Sequence, residues 1–192
     1  LVKKYNEVTG KLEIESTYKN GKSEGLLKAY YPSGKLKSEE NYKNGLKEGS
    51  RKDYYENGVL ENERFYKNDK LEGISKIYYP SGKLEVKDFF KDGKKEGESI
   101  FYHENGNIKQ KSTFKNGKRE GDLFIYFPSG KLRQTEKYIN GKIEGEVIEY
   151  YESGTIKEKA YFINDKQEKE HFFYDEKGKL IKTEIYKNDI KQ

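Results

Sequence analysis

The chain is 192 residues long, 32% apolar, 38% charged and 15% aromatic, with a formal charge of +5 from 39 basic and 34 acidic residues. It has no cysteine, which excludes disulfides and thiolate metal sites, and no apolar run nears the ~18 residues that a membrane-spanning helix needs. The two charge signs are interspersed, as on a solvated surface, and although so polar a composition borders on disorder, the aromatics stand at fixed intervals, which points to a thin ordered structure with little sealed interior.

A 24-residue unit runs from end to end without insertion or deletion, and eight periods make 192 residues. Residues 1–17 form a partial first unit. The first strand is expected around Leu12–Tyr18, followed by Lys19-Asn20-Gly21-Lys22. Asn-Gly between apolar-patterned runs is a hairpin signal, because both residues tolerate positive φ. A second strand, Leu26–Tyr31, leads into Tyr31-Pro32-Ser33-Gly34-Lys35. There Pro pre-sets φ and Gly supplies the left-handed residue of a type I turn with a bulge. A third strand, Leu36–Tyr42, reaches the next Asn-Gly. The same order recurs to the last unit, 162–192, whose departures at Lys169 and Asp175 suit a cap. Segments this short, broken by Gly throughout, do not make stable helices. The expected fold is all-β: one array over 1–192 of tandem 24-residue β-hairpin repeats, forming an elongated, twisted, single-layer antiparallel meander of about 15 strands.

Several columns fix the register. Tyr30, Tyr54, Tyr78, Tyr102, Tyr126, Tyr150 and Tyr174 never vary, and Gly34, Gly58, Gly82, Gly106, Gly130, Gly154 and Gly178 close the second turn. Both columns read as structural. Gly21 is replaced in other units by Asp69, Asp165 and Asp189. Asp accepts the left-handed region, so the position needs positive φ rather than a missing side chain. If the Pro-Ser-Gly loop leaves three residues unpaired, Tyr30 faces Leu36, and Tyr42, six residues beyond Leu36, shares their face. Pairing at the Asn-Gly turn stays open, since a two-residue loop would shift it by one.

Tyr18-Lys19-Asn20-Gly21-Lys22-Ser23-Glu24-Gly25 matches the aromatic-x-x-Gly-x-x-x-Gly core of the MORN repeat. Tyr30-Tyr31-Pro32-Ser33-Gly34-Lys35-Leu36 resembles the bacterial variant of that repeat, many of whose members carry an antitoxin label. The resemblance covers about residues 5–189. It implies tandem hairpins in a single-layer sheet, no enzymatic activity, and a role in interaction with proteins or membranes or in dimerisation.

The candidate binding row is Tyr31, Tyr55, Tyr79, His103, Phe127 and Tyr151, next to the invariant tyrosines and so on the opposite face. Such a row can stack on a partner chain, a sugar or a choline-like cation. Lysines including Lys19, Lys22, Lys43, Lys67, Lys70, Lys94, Lys118 and Lys166 line one edge, but Glu24, Glu48, Glu72, Glu96, Glu120, Glu144 and Glu168 stand among them and cancel most of the field. Nucleic acid is therefore not the expected partner, and an anionic membrane surface is a lesser reading. Two histidines, His103 and His171, make no catalytic or zinc arrangement. No catalytic residue, cofactor or metal is expected. The expected function is a non-enzymatic scaffold that binds another protein or a surface glycan. An antitoxin or immunity protein, and a module that self-assembles through open sheet edges, are the alternatives. The absence of an initiator Met suggests a trimmed, exported bacterial product, with a cytoplasmic one as the alternative.

Overall fold

A computed structural model describes residues 1–192, and they contain strands and turns but no helix. Two compact units emerge, Leu1–Lys94 and Lys95–Gln192. In the first, Val2–Tyr5, Leu12–Ser16, Gly25–Tyr30, Leu36–Lys43, Leu46–Tyr54, Leu60–Lys67, Gly73–Tyr78 and Leu84–Lys91 each pair antiparallel with their neighbour in sequence. In the second, Ile108–Lys115, Gly121–Tyr126, Leu132–Ile139, Gly145–Tyr150, Ile156–Ile163, Lys166–Tyr174 and Leu180–Lys187 do the same. Both are open meanders of hairpins. Residues 167–188 keep the same pattern, with Tyr174 opposite Leu180.

The turns form as their residues demand. Lys19 pairs with Lys22 and Lys43 with Leu46, so each Asn-Gly is a two-residue loop. Asn20 and Gly21 sit at φ 50° and 74°, the left-handed pair of a type I′ turn. Asn68 and Asp69, at 47° and 64°, make the same turn without glycine. In the second loop Tyr31 N–H donates to Lys35 O and Gly34 N–H to Tyr31 O, both at 2.8 Å. Gly34 lies at φ 88°. Tyr30 then faces Leu36.

The expectation that Tyr30, Leu36 and Tyr42 share one face is overturned. Ala29 pairs with Ser38 while Tyr30 pairs with Leu36. Lys37 is therefore an extra residue, and a bulge flips the alternation beyond it. Tyr30 and Leu36 lie on one face, and Tyr42 lies on the other. The hydroxyls agree: Tyr54 donates to Glu39 at 2.8 Å, whereas Tyr42 donates to Glu40, the next residue, at 2.7 Å.

Burial is greatest along the Tyr42 face, and among its aromatics only Tyr138 is buried. Ser16, Glu40 and Asp88 in the first unit, and Ser112, Ala160 and Glu184 in the second, hold one buried position of the period. Their cross-strand neighbours include buried Ser75, opposite Asp88, and Ser99, opposite Ser112. The buried hydrophobics are Val86, Leu123, Tyr138 and Ala160. Buried carboxylates need partners, and Glu40 has them: Tyr42, Lys47 at 2.9 Å and Arg51 at 3.3 Å. Burial would raise its pKa, but the Lys47 and Tyr42 hydrogen bonds and the Arg51 charge outweigh that and lower it. Hydrogen bonds from Lys182, Lys191 and Tyr186 likewise hold Glu184 down to about 2.

Where Asp replaces the turn glycine it gains a bond. Asp69 Oδ1 accepts from Lys47 N–H at 2.7 Å, and Asp165 Oδ1 from Ile143 N–H at 2.6 Å. Gly141 occupies the same position at φ 85°, with Arg119 in the place of Lys47. Gly141→Asp should therefore cost little, because the new carboxylate reaches Arg119 N–H. Gly141→Val, strained at positive φ and without an acceptor, should cost about 1–3 kcal/mol. Urea midpoints of the two variants measure the difference, and equal midpoints would refute this account of the turn.

Candidate functional site

The row Tyr31, Tyr55, Tyr79, His103, Phe127 and Tyr151 lies half-buried on the Tyr42 face. Its polar atoms reach the following repeat. Tyr31 hydroxyl donates to Tyr54 O at 2.6 Å, Tyr55 to Tyr78 O at 2.7 Å and Tyr151 to Tyr174 O at 2.8 Å. His103 Nε2 stands 3.0 Å from Tyr126 O. Phe127 offers only its ring, with Arg133 5.9 Å from its centroid. Tyr31, Tyr55, His103 and Tyr151 therefore lace their repeats to the next, and what the row can still offer a ligand is part of a ring surface.

The invariant tyrosines are half-buried on the opposite face. Tyr30 donates to Glu15 at 2.7 Å and Tyr54 to Glu39 at 2.8 Å. At Tyr30 and Tyr54 the column thus makes hydroxyl–carboxylate bonds to the preceding repeat.

The acids among the edge lysines have a task that spacing did not reveal. Glu24 accepts from Asn44 N–H, Glu48 from Asn68, Glu72 from Asp92, Glu120 from Asn140 and Glu144 from Asn164, all at 2.8–2.9 Å. Each clamps the tip of the next Asn-Gly turn, so these carboxylates are more than solvated charges that dilute the lysines. The other edge carries a 48-residue alternation. Lys35 and Lys131 Nζ donate to the carbonyls of Glu56 and Glu152 at 2.9 Å. Asn57 and Asn105 Nδ2 donate instead to the carbonyls of Pro80 and Pro128. The donor is not strictly tied to turn type, since Lys11 Nζ donates to the carbonyl of Pro32 at 2.6 Å.

The last strands expose Ile181, Ile185 and Ile190, and away from them one apolar cluster spans neighbouring strands. On the Tyr30 face of the first unit Phe65 is 53% exposed, Ile74 49% and Phe89 41%. Ile74 lies directly opposite Phe89. Sequence reasoning missed this cluster because it sought invariant columns. The column of Phe65 and Phe89 also holds Asn41, Thr113, Lys137, Tyr161 and Ile185, and its signal was its variation. His171, the other histidine, is stacked on Phe173 with ring centroids 4.0 Å apart, and its Nε2 is 3.0 Å from Glu158.

Seven segments of the chain, residues 23–44, 47–68, 71–92, 95–116, 119–140, 143–164 and 167–188, match the MORN repeat variant. Each begins just after one Asn-Gly-type tip and ends at the next, so it holds one strand, the second loop and the returning strand. No curated protein matches the chain.

The tyrosine bonds predict an alkaline transition. Burial, then hydrogen bonding to Glu40, Glu39 and Glu136 respectively, pushes Tyr42, Tyr54 and Tyr138 up to about 12. Unfolded tyrosine titrates near 10. Their folded values are raised, so their contribution is complete below pH ~10 and is lost as pH climbs through about 12. Unfolding midpoints followed by circular dichroism should fall across that window. In the triple variant Tyr42→Phe, Tyr54→Phe, Tyr138→Phe the fall should be shallower.

Proposed function

Because the chain belongs to the MORN repeat variant family, whose repeats are in general non-enzymatic modules for protein or membrane interaction, we propose that it is a scaffold that docks a partner protein on the Tyr30 face of its first unit. The observation that carries this reading is the exposed cluster Phe65, Ile74 and Phe89. Aromatic and large aliphatic side chains bury much area on association and dominate interface hot spots, and contiguous exposed apolar surface marks interaction sites. The turn edge is a weaker candidate. Its lysines are exposed, but a clamping glutamate accompanies them in each repeat. The row Tyr31 to Tyr151 is a weaker candidate as well, because its hydroxyls hold the array together.

The test compares capture of binding proteins by the wild-type chain and two variants. Phe65→Ser with Phe89→Ser should reduce capture of the specific partner more than tenfold, with an unchanged β spectrum. Lys70→Gln, Lys94→Gln and Lys118→Gln together should alter mainly salt dependence and association rate. Retained capture by the phenylalanine variant with loss in the lysine variant would move the site to the turn edge and favour an anionic surface as ligand.

A further inference from the structure

One residue of the array breaks the local rule at visible cost. The position of Gly25, Gly49, Gly73, Gly97, Gly121 and Gly145 is left-handed in every repeat, at φ 70–96°. Its seventh copy is Lys169, at φ 66°. All other non-glycine residues at positive φ are Asn or Asp, the types that tolerate that region. A lysine there is strained, and strain that persists has a local cause.

The repeat imposes that backbone, and a contact that offsets part of its cost lies beside it. Lys169 Nζ stands 3.6 Å from the centroid of the Tyr161 ring. The two share an open recess of about 210 Å³ on the Tyr30 face, lined also by Glu146, Glu170, Lys159 and Phe172. The position aims at this column elsewhere too: a Cβ at Gly49 would lie 3.6 Å from the Cβ of Asn41, the counterpart of Tyr161. Four periods before Lys169 and Tyr161 stand Gly73 and Phe65. There a Cβ would meet nothing within 4 Å, and Phe65 is 53% exposed. Glu63, in an ion pair with Lys52 at 3.9 Å, lies on the same face, two residues before Phe65. The first unit thus keeps open, over an aromatic ring, the slot that the second unit fills with its own ammonium.

We propose that the slot between Phe65 and Gly73 receives a lysine side chain from the partner, seated as Lys169 is seated on Tyr161. The lysine stem covers Ile74 and Phe89, and its ammonium rests on the Phe65 ring, by the pairing of long cationic side chains with apolar and π surfaces. This rests on the docking reading above and adds the chemistry of what docks.

The experiment titrates the chain with N-acetyl-lysine methylamide and with the uncharged N-acetyl-norleucine methylamide, following Phe65 ring resonances by NMR. Lysine should give a saturable shift, with severalfold weaker binding of norleucine. Phe65→Leu, which keeps the apolar bulk, should abolish that preference. Gly73→Lys, a substitution the chain already accommodates at Lys169, should block the slot from within, and Lys169→Gly should open a second responsive ring at Tyr161. Equal binding of the two probes would overturn the cation assignment and leave an apolar docking face standing. An absent lysine response, or one that survives Gly73→Lys, would overturn the slot itself, whereas failure of the docking reading shows separately as undiminished capture by the Phe65→Ser, Phe89→Ser variant.

Discussion

Left-handed backbone at four places per period is the constraint from which the rest follows. In the first full repeat they are Asn20, Gly21, Gly25 and Gly34. Two make the tight type I′ reversal, one makes the bulge just after it, and one closes the three-residue loop. Residues that resist positive φ would splay the strands or shift their register, and a shift of one exchanges the faces. The Gly, Asn and Asp at these positions are conformational requirements, so the repeat length cannot drift.

The fold then stands without a conventional core. Apolar burial is confined to Val86, Leu123, Tyr138 and Ala160. The buried line of the Tyr42 face is mostly Ser, Asp and Glu, which would be costly unless bonded. Glu40 shows how the cost is offset, by Tyr42, Lys47 and Arg51 together. Such networks are worth most when every member is satisfied. Lacing between repeats, from Glu48 to Asn68 or from Tyr55 to Tyr78, adds to the ladder where a second layer of structure would otherwise be needed.

What could be read from the sequence divides along physical lines. Strand order, turn chemistry and the Tyr30–Leu36 pairing were legible, because Asn-Gly and Pro-Ser-Gly carry their backbone geometry in their residue types. The facing of Tyr42 was not. The bulge at Lys37 falls on a position that is charged in every copy but Ile181, which reads as ordinary solvent exposure and does not reveal an extra residue. The clamping role of Glu48 was hidden because a bond across 20 residues leaves no local pattern. Phe65 and Phe89 were passed over for the opposite reason: a column that must stack is uniform, whereas a column facing outward is free to vary from Asn41 to Tyr161. Lys169 was legible as an exception, but its meaning needed the ring beneath it.

The reach of the lacing has a consequence for how the chain acquires its structure. The longest hydrogen bonds join residues only 23 apart in sequence, as between Tyr55 and Tyr78. Sheets usually fold slowly because distant segments must find each other before any contact rewards them. Here every closure is local, and a hairpin needs only its immediate predecessor to be complete. Folding can therefore start at any repeat and spread by addition. During synthesis each hairpin can settle onto the one before it as soon as it emerges, so its strand edge waits for a partner only as long as about one further repeat takes to be made.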